Sequence, residues 1–172
     1  TVMHFGPIAL KDPTNFEARG EVLAASSFGC CGLLGLGRTP SPWPCHGIEH
    51  EVSAWYDITH GVGLAIITPH WMQWCLDADP ALVAPKFAQY GVNVFGLNPA
   101  DGVEVNAKKA IEKTAAFFRS IGITQTLKDF GIDDSHFEAM AEHVTTAWVG
   151  DYKYAFVPMD KEAVLAVLRA SL

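Results

Sequence analysis

The sequence has no CxxC pair and no disulfide-framework spacing: its four cysteines are Cys30, Cys31, Cys45 and Cys75. A reduced, cytoplasmic chain is therefore the simplest expectation. Clusters of Lys and Arg are also lacking. The twelve basic residues are scattered and the net charge is −7, which excludes a nucleic-acid surface, since phosphate binding needs grouped cations. No stretch of eighteen residues is free of both charged and strongly polar groups, so no membrane span is expected. The opening "TVMHFGPIALKDPTNFEARG" lacks the basic flank and apolar run of a signal peptide. Alternating runs that would suggest strands are few, and no internal repeat or low-complexity tract is present. What is there is a chain of 172 residues, 49% hydrophobic and 18% charged, the composition of one globular domain whose partner is a small molecule or another protein. It begins at Thr1 rather than Met, and the expectation is that it was cut from something longer.

Apolar residues recur at three- and four-residue intervals through most of the chain, which predicts about seven helices in a single all-α domain over 1–172. After Pro13, with Thr14 or Asn15 as cap, residues 16–36 read as a long, buried central helix, with Cys30 and Cys31 as small core residues. Its glycines imply close packing against a neighbour, and the run from Gly32 to Gly37 reads as helix packing rather than a phosphate loop. The proline-rich loop at 37–44 ends it. A segment at 60–76 carries Pro69, which predicts a kink or a break after Thr68; a helix follows over about 80–95. Next comes an amphipathic helix with Ala107, Ile111, Ala115, Phe118 and Ile121 along one stripe, ending at Gly122. Ser135 with Glu138 reads as a capping box for a helix that buries Phe137, Met140, Val144 and Trp148 and closes at Gly150. Asp160 caps a short closing helix.

Chemistry concentrates in "CHGIEHEVSAWYDITHG", where His46, His50, His60, Glu49, Glu51 and Asp57 fall within seventeen residues. His46 and His50, four apart, project from one helix face with Cα atoms about 6 Å apart, a spacing that suits two imidazoles on one ion. The letters also fit H-x-x-E-H, in which Glu49 would activate a metal-bound water of a protease. That reading needs a third, acidic ligand, and nothing singles one out among Glu104, Glu112, Glu138 and Glu142. His60 is fourteen residues after His46, about 21 Å along an unbroken helix, so sharing one ion requires a bend. Asp57, Thr59, Gly61 and Gly63 supply the means for one. The competing reading is a set of partly buried histidines hydrogen-bonded to Glu49 or Asp57, which could orient His50 or His60 or simply cap and solvate. His70, beside Trp71 and Trp74, reads as a core or surface histidine, and His136 and His143 receive no role, with His143 facing solvent. Trp43 and Trp55 flank the motif as possible pocket walls.

The longer run "HGIEHEVSAWYDITHGVGLAIITPHWM" resembles the iron-containing alcohol dehydrogenase family, in particular its NAD(P)H-dependent butanol dehydrogenase branch. "GPIALKDPTNFEARGEVL", "AIEKTAAFFRSIGI" and "DKEAVLAVLRASL" resemble its flanking helices, so the likeness covers essentially the whole chain, as the helical C-terminal metal-binding domain of such an enzyme. The resemblance implies the all-α fold of the iron-containing alcohol dehydrogenase and dehydroquinate synthase-like type. It implies that His46 and His60 are two of four ligands to Fe²⁺ or Zn²⁺, and that His50 is the catalytic histidine beside nicotinamide and substrate, a proton relay rather than a ligand. The reaction implied is reversible hydride transfer between NAD(P)H and an aldehyde, with a homodimer as the assembly.

The departures matter equally. The family's other two ligands, an Asp and a His four apart on one helix, have no counterpart between Thr1 and Cys45, and no glycine-rich nucleotide site is present. The expectation is half a metal site, NAD(P)H bound mainly by a nucleotide-binding domain absent here, and an isolated chain with little or no activity. The alternative is a non-catalytic helical metal-binding or dimerisation module.

Overall fold

The structure, a computed structural model, describes residues 1–37, 42–146 and 152–172. Among them are eight α-helices and no strand: α1 Val2–Lys11, α2 Phe16–Cys30, α3 Pro44–Tyr56, α4 His60–Ala78, α5 Pro80–Phe95, α6 Val103–Ser120, α7 Phe137–Thr146 and α8 Lys161–Ala170. The all-α expectation holds, with one helix more than the rough count because α1 forms despite Pro7 within it. No helix among the described residues is long and apolar enough to cross a membrane.

The chain divides into two compact units, one made of Thr1–Pro40 with Ser120–Gly122, the other of Ser41–Arg119 with Ile123–Leu172. In the larger unit α3, α4, α7 and α8 pack on one core, built from Ile48 and Val52 of α3, Ile67 of α4, Phe137 and Met140 of α7 and Leu168 of α8. A second cluster joins α4, α5 and α6 through Met72, Val83, Phe87, Ala107 and Ile111. Each Val, Leu, Ile, Phe or Met side chain among them contributes about 1.5–3 kcal/mol by leaving water. Helix ends are set by local chemistry. Asp79 and Asp160 accept from the backbone N–H groups of Leu82 and Ala163, at 3.0 and 2.9 Å. Gly96 ends α5 in the left-handed region, φ +66°, where a Cβ would be strained.

The smaller unit corrects the picture of a buried central helix. Asn15 caps α2 as expected, accepting from the Ala18 N–H at 2.9 Å, but α2 stops at Cys30 and a 3₁₀ turn, Leu33–Gly35, follows. Ala18 is its one buried residue, while Phe16 is 91% exposed and Leu23, Phe28, Cys30 and Cys31 are exposed too. The cause is geometric. Apolar residues surround α2 on several sides, and among the described residues of its own unit α1 and the 3₁₀ turn pack on it, which covers a fraction of them. Nor do its glycines permit close packing: a Cβ on Gly20 or Gly29 would meet nothing within 4 Å. The Gly32–Gly37 run is an exposed turn rather than helix packing.

Other expectations shift locally. No break follows Thr68, because α4 continues through Pro69. Along α6, Ala107 and Ile111 are buried as expected, but Ala115 and Phe118 are only partly so, with Ala110 and Thr114 completing the buried face. Ser135 is not the cap of α7. Asp133 accepts its N–H at 3.0 Å in a 3₁₀ turn, and the capping box lies instead at Thr126 with Asp129. Phe137, Met140 and Val144 are buried as expected. Trp148, Gly150 and the middle of the proline-rich loop lie outside the described residues.

Candidate metal centre

The bend needed between His46 and His60 is present. Asp57 ends α3 at φ +53°, ψ 39°, the left-handed region that Asp tolerates better than most residues, and its N–H bonds to the Ser53 carbonyl at 2.8 Å. Ile58 then buries its side chain, and α4 starts at His60. The reversal places three imidazoles together. Ring centroids lie 5.4 Å apart for His46 and His60, 5.0 Å for His50 and His60, and 6.3 Å for His46 and His50. Trp43 packs edge-on against His46 at 4.7 Å.

Glu49 sits behind this group, fully buried. Its Oε2 contacts Nδ1 of His60, and its Oε1 contacts the Ser53 hydroxyl, which also lies 3.1 Å from the Ile58 carbonyl oxygen. Gly63 makes room for it: a Cβ there would stand 2.7 Å from Glu49 Cγ and Oε1, and 3.0 Å from Ile58 Cδ1. Donor atoms of Glu49, His50 and His60 all lie within 4.8 Å of one another. Both Glu49 oxygens are committed inward, however, so its chemistry is to fix the His60 ring with Nδ1 occupied and Nε2 left for an ion. That arrangement does not suit the hydrolase reading, which needs Glu49 on a water. The acidic candidates for that reading, Glu104, Glu112, Glu138 and Glu142, are all exposed on α6 and α7.

Burial first, then the neighbouring imidazoles of His60 and His50, lowers the His46 pKa from the usual imidazole value, which favours the neutral form that can ligate. Among the described residues the donor atoms that converge most tightly are those of Glu49, His50 and His60, joined by neither His46 nor any Asp; the ring nitrogens of His50 and His60 are donors that suit a divalent Fe²⁺ or Zn²⁺. Next to His46 on α3, Gly47 seats Tyr152, whose hydroxyl a Cβ would overlap, and burial raises the Tyr152 pKa to about 12.

The cluster opens on a shallow, solvent-open depression of about 650 Å³ lined by His50 and His60, by Ala54 and Ile58, and by His143 of α7. His143 was expected to face solvent without a role. It is half exposed, but its Nδ1 lies 2.6 Å from Oε1 of the buried Glu51. The 92-residue separation hides that pair from any local pattern; the only hint was a glutamate directly after His50 on a face that must be buried. His136 stacks on Trp55 at 4.2 Å, so Trp55 is engaged outside the cavity, and His70 lines a different cavity with Arg119 and Phe118. A further cavity of about 580 Å³ along α2 has Arg19 as its one ionisable side chain and no imidazole.

The whole chain, residues 1–172, matches the Fe-containing alcohol dehydrogenase family, C-terminal part. It is 40% identical to NADH-dependent butanol dehydrogenase A of Clostridium acetobutylicum over 172 residues, covering 99% of this chain and 43% of that protein. It is 38% identical to butanol dehydrogenase B of the same organism over 176 residues, covering 100% and 43%. Its fold superposes on the crystal structure of NADH-dependent butanol dehydrogenase A from Thermotoga maritima with a TM-score of 0.85 and 27% identity, covering 99% of this chain and 43% of that one. The chain thus spans under half the length of the relatives it matches.

Proposed function

The chain belongs to the Fe-containing alcohol dehydrogenase family, and on that premise we propose that it is the helical, metal-binding part of an enzyme interconverting primary alcohols and aldehydes with NAD(P)H. Its butanol dehydrogenase relatives are named for NADH, which favours NADH here. The observation that carries the reading is the convergence of His46, His50 and His60 across the α3–α4 reversal, with the buried Glu49 holding the His60 ring.

In this reading His46 and His60 hold the ion, with its remaining ligands and the nucleotide site supplied from outside this chain. A divalent Fe²⁺ or Zn²⁺ bound there supplies Lewis acidity at the alcohol or aldehyde oxygen. Oxidation of the alcohol removes a hydride from carbon and a proton from oxygen, and the proton is what this chain handles. His50, half-buried beside both ligand rings, takes it and returns it in the reverse direction. Glu49 and Ser53 keep His60 in one orientation, and Ala54 and Ile58 offer an apolar wall to the alkyl chain.

The test is metal content and NADH-dependent butanal reduction in the complete polypeptide carrying this chain, with His46→Ala and His60→Ala. Both variants are expected to lose metal and turnover together. A complete polypeptide that reduces no aldehyde overturns the reading. The isolated chain is expected to hold metal weakly and to reduce no butanal, and brisk reduction by it alone refutes the assignment of ligands and cofactor site to another segment.

A second reading, a non-catalytic metal-binding or dimerisation module, draws on the exposed Phe16, Leu23 and Phe28 of α2. The leading reading covers those residues with the remainder of the dehydrogenase. Self-association of this chain, in a protein with no nicotinamide chemistry, would favour the module.

A further inference from the structure

Helical spacing pairs His46 with His50, yet of the three imidazoles these two rings stand farthest apart, 6.3 Å between centroids, while His50 and His60 are 5.0 Å apart. The α3–α4 reversal brings that second pair together. Donor atoms of His50, His60 and Glu49 lie within 4.8 Å of one another, and among the described residues neither His46 nor any Asp joins them. Two imidazoles and a carboxylate are a set that holds Fe²⁺ or Zn²⁺ with positions left open. Each Glu49 oxygen makes one contact, to His60 or to Ser53, and keeps a second lone pair. Two ligands on a tetrahedral ion stand about 3.4 Å apart, so small side-chain movements close the set.

Access from solvent separates the same residues. Glu49, His50 and His60 line the open depression, whereas His46 does not, and Trp43 packs on the His46 ring at 4.7 Å. His60 is 47% exposed and His50 is half-buried. An ion arriving from water therefore meets His50 and His60 before His46, drawn by the carboxylates of Glu49 and Glu51 in the same wall.

Resting on the dehydrogenase reading, we propose that His50, His60 and Glu49 form a capture site, which takes up divalent Fe²⁺ or Zn²⁺ before His46 and the ligands from outside this chain hold it. His50 thus serves twice, as a ligand during loading and as the proton relay afterwards. The two tasks exclude each other, because a ring nitrogen bound to an ion has no lone pair for a proton.

The experiment titrates Zn²⁺, and Co²⁺ as its coloured substitute, into the 172-residue chain and into the complete polypeptide that carries it, with helicity and urea midpoint recorded for each. In the chain, His50→Ala is expected to weaken binding at least about tenfold, since losing a ligand costs no less than losing its support, and His46→Ala less than about threefold. His50→Phe, which keeps a ring without a nitrogen, repeats the Ala result and separates coordination from packing. In the complete polypeptide the order reverses. There His46→Ala loses the metal, while His50→Ala keeps its equilibrium affinity and takes up Zn²⁺ more slowly than the unaltered protein. Four results overturn the proposal: no binding by the unaltered chain, equal losses for His46→Ala and His50→Ala in it, normal affinity in His50→Phe, or an unaltered loading rate in the His50→Ala polypeptide. An unaltered complete polypeptide that holds no metal and reduces no butanal removes the dehydrogenase reading itself, which none of those four results touches.

Discussion

Replacing Glu49 by Gln changes one atom and removes one negative charge from a position without solvent contact. The amide can reproduce the geometry, its oxygen toward Nδ1 of His60 and its NH₂ toward the Ser53 oxygen, with the Ser53 hydroxyl then donating to the Ile58 carbonyl at 3.1 Å. Every polar group keeps a partner, so the fold should shift by less than about 1 kcal/mol. The charge is what disappears. A hydrogen bond to a carboxylate is about twice as strong as one to a neutral acceptor, and it makes the His60 ring a better electron donor. Loss of such a supporting carboxylate costs about 10- to 100-fold in metal affinity, or about 1.4–2.8 kcal/mol. Competition titration of Zn²⁺ or Co²⁺ against a chelator, paired with urea unfolding, separates the two quantities. Unchanged affinity in Glu49→Gln refutes the role given to Glu49. Full metal occupancy with abolished turnover also refutes it, because that is the signature of a glutamate that activates water.

Three further outcomes test the packing and electrostatics. Gly63→Ala sets a methyl 2.7 Å from Glu49 and should destabilise the chain by about 1–3 kcal/mol. Gly20→Ala, with nothing within 4 Å, should stabilise α2 by about 0.5–1 kcal/mol; urea midpoints of equal sign for the two would contradict the close approach at Gly63. Asp160→Ala removes the acceptor of the Ala163 N–H and should cost about 1 kcal/mol, read from the same unfolding curves. His46 is held below its ordinary pKa of 6.5, first by burial and then by the neighbouring imidazoles of His60 and His50. Its contribution to the metal-free fold is therefore complete above that value and is lost as pH falls through the folded pKa. Stability should drop below about pH 6.5, where an unfolded imidazole takes up its proton, and drop less in His46→Asn; equal drops would exclude His46 as a source.

The gathering of the three histidines was largely legible because its signals are local. His46 and His50 share a face by helical spacing, and Asp57 at φ +53° is a residue type that can end a helix there. The Glu49–His60 link spans eleven residues and lay within reach of the same reasoning. Glu51 and His143 did not. A buried glutamate looks like any helical glutamate until the helix that covers it is known, and that helix comes from the far end of the chain. Glycines show the same limit. Gly20 and Gly63 look alike in sequence, yet one borders empty space and the other a carboxylate, since a glycine's purpose is set by what approaches it.

Helix α2 carries the same lesson at larger scale. Its apolar residues were read as a core, and the inference from composition to burial was sound for a helix apolar on several sides. What composition cannot name is the covering surface. Among the described residues of its own unit, α2 packs on α1 and on the 3₁₀ turn Leu33–Gly35, which leaves Phe16, Leu23 and Phe28 exposed. An exposed run of that kind marks an interaction surface rather than a free face. Within the proposed function, the polypeptide that covers it is also the one that brings the missing ligands and the nucleotide site. Charged substitutions at Leu23 and Phe28 should therefore leave the isolated chain folded while destabilising the complete enzyme. Parallel urea unfolding of the two forms tests this directly, and equal effects in both would mean that α2 is not covered by the rest of that polypeptide.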